Sequence, residues 1–294
     1  SRRRHTRFKC DWSSDVALPI SLKNYFRTPA LHLRLPSGGK HWPEGSLFMP
    51  PTGEIPILPM TAVDEITYRT PDALFNGSAI VSVIQSCCPN VKNAWVAPSI
   101  DVTALLIAIR LASFGNDLEV SSTCPSCNTE GEYTLDLQDA MGRLDPPNFD
   151  QPIVYSDLQI YFRPISYQKQ NEINLKQFEQ QRTIVQVRNS ELPEAEQTKL
   201  LDQALKEITK LTVDVLVANI SAIRTPNALV SEPEFIQEFI ENCDRKLFAL
   251  IRDHAVSMRE KSDLPPLNVK CSNCEHEYQQ PIMLDATNFF EPAS

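Results

Sequence analysis

Two C-x-x-C pairs, Cys124/Cys127 in TCPSC and Cys271/Cys274 in KCSNC, constrain this chain more than any other feature. Each pair follows a β-like segment (DLEVSS, PLNVK) and leads into another (EYTLDL, HEYQQPIML). Strand, knuckle, strand, given twice, is the pattern of a zinc ribbon. Each knuckle brings two thiolates to one side of a tetrahedron, and d¹⁰ Zn²⁺ accepts four sulfurs without geometric strain. The spacing is unusual: compact ribbons place about 15–20 residues between pairs, whereas 143 residues separate Cys127 from Cys271. Lengthening a loop by that ratio costs only about 2 kcal/mol more closure entropy. Structural zinc contributes on the order of 10–16 kcal/mol at neutral pH. The metal outweighs the loop, the more so if the insertion folds and brings its own ends together.

The expectation is a structural Zn²⁺ held by Cys124, Cys127, Cys271 and Cys274, the alternative being two unrelated loops, reduced or disulfide-bonded. Four thiolates close the coordination shell and leave no position for water or substrate, which argues against catalytic zinc. His276, two residues past Cys274, is the nearby substitute ligand. The zinc-deaminase pattern, H-x-E with P-C-x-x-C, is absent, because Thr123 precedes Cys124 and His276 adjoins Glu277. Cys87 and Cys88 read as small buried hydrophobes at a helix end, Cys243 as an apolar helix position, and Cys10 lies near the N-terminus.

Leu31, Leu33 and Leu35 alternate with polar residues before a turn at SGG, which predicts a strand; MPPTGEIPILPM predicts an extended sheet edge. A helix is expected from a Thr70 cap and Pro71 to Cys88, and a second, apolar nearly all round, from Ile100 to Ser113, ending at Gly115. IVYSDLQIYFRPI reads as two short strands turning at Ser156-Asp157. From Tyr167 to Lys261 the pattern is of long charged helices, the middle one carrying Leu201, Leu205, Ile208, Thr212 and Val215. The last helix has a Ser231/Glu234 capping-box spacing with Pro233 in its first turn, and a face of Ile236, Ile240, Cys243, Leu247, Leu250 and His254. That fits a helical hairpin or three-helix insertion, with His254 as a packed histidine. The expected fold is α+β: a mixed body with a split zinc-ribbon-like β element and a long α-helical insertion. The chain divides into a basic arm (1–24), an α+β body with the first knuckle (25–144), a linker and β-hairpin (145–166), the helical insertion (167–262), and the second knuckle with the tail (263–294).

Arg2, Arg3, Arg4, Arg7 and Lys9 give the first nine residues +5 of a net charge of −9, so the rest carries −14. An acidic body argues against general nucleic-acid binding, which needs a surplus of Lys and Arg on one face. The densest apolar run, ALLIAI at 104–109, is far short of the roughly 20 residues that cross a bilayer. No apolar stretch follows the basic start, so no secretory signal is read there and a cytosolic chain is expected. Catalytic machinery is missing by motif. PSGGK lacks the first glycine of a P-loop, and G-x-G-x-x-G, H-E-x-x-H and G-x-S-x-G do not occur. None of the five histidines has a spaced partner that would suggest a triad, and eight glycines against 23 prolines supply few phosphate-cradling loops. The expectation is a protein that binds rather than one that turns over a substrate.

YFRTPALHLRLPSGGKHWPEGSL and GEIPILPMTAVDEITYRTPDALFNGSAIVSVIQSCCPNVKNAWVAPSIDVTALLIAIRLASFG resemble the baseplate protein family of contractile-tailed bacteriophages. In the T-even phages the member is a baseplate hub protein, often described as an assembly factor. The resemblance runs from about Tyr25 to the second knuckle and is most specific between residues 25 and 115. It implies a virion structural or assembly protein, assembled in the host cytoplasm. Its partners would be other baseplate chains, hub or wedge, in a symmetric hetero-oligomer, with no small-molecule substrate and no membrane. Zinc is not part of what the resemblance implies; that expectation rests on the cysteine spacing. Trp42, Trp95 and the NFF of 288–290 are candidate anchors for partners or ordinary packing. A transient assembly chaperone and a zinc-ribbon nucleic-acid-binding module are the competing functions.

Overall fold

A computed structural model describes residues 25–70, 73, 76–144, 147–190, 192–262, 264, 266–282 and 289–290. The basic arm with Cys10, the expected helix start at Pro71, part of the linker, and Asn288 lie outside the described residues.

The centre of the body is helix α3 (Ser99–Phe114), buried on almost every side from Ile100 to Arg110, as its continuous apolar sequence requires. Around it pack an antiparallel pair, β1 (Leu31–Leu33) and β2 (Ile55–Ile57), and two short helices, α1 (Ala62–Tyr68) and α2 (Ser78–Cys87). Ile55, Ile57, Val83, Ile84, Leu105 and Ile107 are fully buried there. Sequence reading gave no helix at α1. Its signal is a capping box written with Asp: the Asp64 N–H donates to Thr61 Oγ1 (3.3 Å), and the Thr61 N–H donates to the Asp64 carboxylate (2.8 Å).

The helix expected from Pro71 is not continuous into α2, because Gly77 sits in the left-handed region at φ 78°. A Cβ there would stand 2.9 Å from Asn171 and from the Tyr167 hydroxyl, so glycine is demanded twice, by backbone and by space. Gly77→Ala is expected to cost about 1–3 kcal/mol, read as a lowered melting temperature, with α2 and the start of the insertion loosened together.

Two features bind the loops to this core. Asp101, fully buried in the first turn of α3, accepts from the Ser37 N–H (2.9 Å), the Ser37 hydroxyl and the Trp42 indole N–H (2.6 Å). The C-terminal Phe289 and Phe290, each 4% exposed, pack on Tyr68, Phe114 and the guanidinium of Arg110, which donates to the Phe289 carbonyl. Trp95 lies 5.8 Å from the Tyr167 ring. Trp42, Trp95 and the two phenylalanines thus engage in packing within the chain.

After α3 come a hairpin, β3 (Asp117–Thr123) and β4 (Glu130–Asp136), and α4 (Leu137–Gly142). The insertion has its own core. Strands β5 (Ile153–Tyr155) and β6 (Leu158–Phe162) form the expected hairpin, followed by two long antiparallel helices, α5 (Tyr167–Arg188) and α6 (Glu194–Asn219). Strands β7 (Ile220–Arg224) and β8 (Leu229–Val230) then extend the sheet in the order β5-β6-β7-β8. These two strands, hidden between helices, had no place in the sequence reading. Ile160, Ile220, Ile223, Ile236, Ile240 and Ile251 fill the space between this sheet and the last helices.

The last helix is two helices, α7 (Pro233–Asn242) and α8 (Arg245–Ser262). Ser231 does not form the expected capping box: Glu232 occupies the cap, and the Ser231 N–H donates to the Glu232 carboxylate. Cys243 lies in the break instead of on a helix face. There the Asp244 carboxylate accepts the N–H groups of Lys246 (2.7 Å) and Leu247 (3.0 Å) and starts α8 anew. The break resets the phase, so Ile251 is fully buried and Leu250 is 39% exposed.

His254 packs on Phe162 at 4.6 Å, and its Nε2 is buried with no hydrogen-bond partner among the described residues. Burial lowers its pKa below the ordinary 6.5, with Lys261 adding to the effect. The unfolded chain therefore binds this proton more readily than the folded one. Stability from this site is complete above pH 6.5 and is lost as pH falls through the lowered folded value. His254→Gln should flatten that part of the urea-midpoint profile.

Candidate metal centre

Hairpin β3–β4 and a second hairpin, β9 (Leu267–Lys270) and β10 (Glu277–Gln280), carry the four cysteines at their turns. The two turns repeat one another bond for bond. In the first, the Cys124 N–H donates to the Thr129 carbonyl (3.0 Å), and the Asn128 N–H returns to the Cys124 carbonyl (2.9 Å). In the second, the Cys271 N–H donates to the His276 carbonyl (2.9 Å), and the Glu275 N–H returns to the Cys271 carbonyl (3.0 Å). The residue after each second cysteine is left-handed, Asn128 at φ 55° and Glu275 at φ 58°. Asn tolerates that conformation and so gives a weak local signal; Glu gives none.

The hairpins face each other and bring the four sulfurs within 4.8 Å of one another. Cys124 Sγ lies 3.7 Å from Cys274 Sγ, and Cys127 Sγ lies 3.6 Å from Cys271 Sγ. These separations exceed a disulfide bond of about 2 Å, and all four are free thiols. Zn–S bonds of about 2.3 Å in a tetrahedron imply sulfur–sulfur edges of about 3.8 Å, so the cluster fits such an ion. The four cysteines could hold a metal ion. Cys124 and Cys271 are buried, Cys127 is half-buried and Cys274 is exposed.

The thiols are set unequally by their surroundings. The Thr129 hydroxyl and backbone hold the Cys127 thiol down near 6. The His276 N–H draws Cys274 down, but desolvation and the neighbouring sulfurs outweigh it and hold that thiol near 11. Mutual repulsion among four sulfurs makes full ionisation unfavourable unless a cation shares the site.

Residues that spacing alone did not reveal join the two hairpins. Asn273 Nδ2 donates to Thr129 Oγ1 (3.1 Å), tying one turn to the other. Beneath the sulfurs, buried Ser122 accepts from the Tyr278 hydroxyl (2.9 Å) and donates to Gln280 Oε1 (2.6 Å). These contacts span more than 140 positions of sequence, so no local pattern announces them.

His276 contributes its backbone to the turn, while its ring stacks parallel to Tyr278 at 6.2 Å, outside the sulfur cluster. Cys87 and Cys88 are fully buried, and burial pushes the Cys87 thiol up to about 11 and the Cys88 thiol higher still, so both stay protonated. The outer surface of the first hairpin is acidic: Asp117, Glu119, Glu130, Glu132 and Asp136 are exposed. Lys270, beside the second knuckle, pairs with Glu275 at 3.4 Å. No helix among the described residues is long and apolar enough to cross a membrane.

A model of the T4 bacteriophage base plate protein family matches residues 29–291. Neither curated proteins nor solved structures give a match.

Proposed function

The chain belongs to the T4 bacteriophage base plate protein family, and from that premise we propose that it is a structural or assembly subunit in the hub region of a contractile tail baseplate. It acts by binding neighbouring hub or wedge chains in a symmetric hetero-oligomer, without turning over a substrate. The family match over residues 29–291 supports the baseplate part of this reading, and the resemblance of residues 25–115 to the T-even member suggests the hub.

Within it, Cys124, Cys127, Cys271 and Cys274 hold one structural Zn²⁺. The ion fastens the β9–β10 hairpin to β3–β4, while the segment from β5 (Ile153–Tyr155) to α8 (Arg245–Ser262), which has its own core, loops out between the two knuckles as an insertion. The sulfur separations of 3.6 and 3.7 Å support a tetrahedral thiolate site, and zinc is proposed from the paired C-x-x-C knuckles on β-hairpins, the ligand pattern of a zinc ribbon. The shell is complete with four thiolates, so the ion's role is to hold the chain. The acidic exterior of the first hairpin counts against the competing nucleic-acid role, since phosphates would meet Asp117, Glu119, Glu130, Glu132 and Asp136.

An amber stop codon early in the gene of the encoding phage tests the proposal. Lysates from a non-suppressing host should contain filled heads and incomplete baseplates but no finished tails, and plasmid-borne chain should restore them. Normal yields of infectious particles without the chain would contradict the proposal.

A further inference from the structure

Helices α3, α5, α6 and α8 line an open groove of about 540 Å³ where the body meets the insertion. Its floor is apolar, made of buried lining residues that include Ile100 and Leu106 of α3 and Leu216 of α6. One wall carries Gln170, Asn174 and Gln177 of α5, at positions i, i+4 and i+7 of a single helix face. The other wall carries Arg252, Val256 and Arg259 of α8 at the same spacing. None of the described residues lining it is acidic, although Asp and Glu outnumber Lys and Arg by 37 to 28 in the chain. Arg252 leans on its neighbour Asp253 through Nε (3.0 Å) and Nη2 (2.8 Å), while Arg259 makes no ion pair among the described residues. Val256 is 48% exposed at the lip.

We propose that this groove is the docking site for an amphipathic helix of another baseplate chain, one that presents an apolar face flanked by carboxylates. The occupant is elongated because both walls repeat at helical spacing along the groove. It is apolar beneath because the floor is. It is acidic at one side because the Arg259 guanidinium, with no ion pair among the described residues, presents a fork that receives a carboxylate in a pair of hydrogen bonds, while Arg252 keeps the Nη1 side of its own fork beyond its bonds to Asp253. The carboxamides of the opposite wall supply uncharged donors and acceptors; one of their own bonds, from Gln170 to Asn174 (2.9 Å), already lines them up. The chain's own N-terminal arm, with five basic residues in its first nine, has the wrong charge for this site. This inference rests on the baseplate reading above.

The test replaces the gene in the encoding phage with Arg252→Glu/Arg259→Glu or Val256→Trp, and counts the chain in purified tails by quantitative mass spectrometry. Circular dichroism melts of the purified variants establish folding. In parallel, a photo-crosslinking amino acid at 256 is irradiated in intact tails. Both variants should melt like the wild type yet be at least 10-fold depleted from tails, and the crosslinked peptide should be a helical segment rich in Asp and Glu from a different chain. Wild-type incorporation of both folded variants would overturn the groove proposal while leaving the baseplate reading standing. A crosslink to a second copy of this chain would overturn the choice of partner. Absence of the wild-type chain itself from tails and assembly intermediates would remove the baseplate reading, and this inference with it.

Discussion

Cys271→Ser should abolish stoichiometric zinc binding and release the β9–β10 hairpin from β3–β4. Two four-residue strands cannot stand alone in water. The described contacts holding this hairpin to its partner include the Ser122–Tyr278–Gln280 bonds, the Asn273–Thr129 bond, a Tyr133–Tyr278 hydrogen bond and the sulfur cluster. Of these the proposed zinc ion on the sulfur cluster would be by far the largest, at the order of 10–16 kcal/mol against about 1 kcal/mol for each hydrogen bond. Leu264 before the hairpin and Phe289 and Phe290 after it stay anchored in the body core, so the loss is concentrated between them. Amide exchange across Leu267–Gln280 should rise to nearly unprotected rates, and the melting temperature should fall by about 10 °C. A strong chelator should reproduce both effects in the wild type. Cys243→Ser, whose thiol merely donates to the Ile240 carbonyl, is the control and should leave both readouts close to the wild type. Unchanged exchange in metal-free Cys271→Ser would mean that packing alone holds the hairpins together.

Asp101→Ala should destabilise the body by about 3–5 kcal/mol, because it strands a backbone N–H, a hydroxyl and an indole N–H that are turned inward. Burial pushes the Asp101 carboxyl up, and the Ser37 and Trp42 donors pull it back, so the group sits in a balance that only this set of donors maintains. Its place in the first turn of α3 adds a favourable interaction with the helix dipole. Asp101→Asn retains one acceptor oxygen but turns an NH₂ toward donors, and should recover less than half of the loss. A urea titration distinguishes these cases, and Trp42 fluorescence reports whether the loop of residues 36–42 lifts away. An Ala variant as stable as the wild type would show that the loop is held by its apolar residues alone.

The elements that local sequence announced are those whose signals are complete within a few residues. Each C-x-x-C knuckle is one, which is why 143 intervening residues did not obscure the pairing. The apolar run of α3 is another. The hairpin at Ser156-Asp157 is a third, with Ser156 at φ 55° in the turn. Where two signals competed, the weaker was passed over. The 4,3,4,3,4 spacing from Ile236 to His254 reads as one helix, yet Asp244 caps a second one in its midst and shifts the buried face from Leu250 to Ile251. Strands β7 and β8 are five and two residues long between helices of 26 and 10, too short for alternation to stand out. Gly77 was read as the interior of a helix because the Asn171 and Tyr167 side chains that crowd it come from 90 or more positions away. The same holds at the cysteine cluster: the two C-x-x-C pairs were legible, whereas Ser122, Thr129, Asn273 and Tyr278 became visible only once the hairpins faced each other.

Quantitative mass spectrometry of purified phage particles and of tail-assembly intermediates, calibrated against the tail-tube protein, tests the central claim most directly. A fixed copy number in finished tails, at a small multiple of three, is the expected result and makes the chain a permanent baseplate subunit. Presence in intermediates and absence from finished tails would make it an assembly factor that departs. Absence from both would contradict the account.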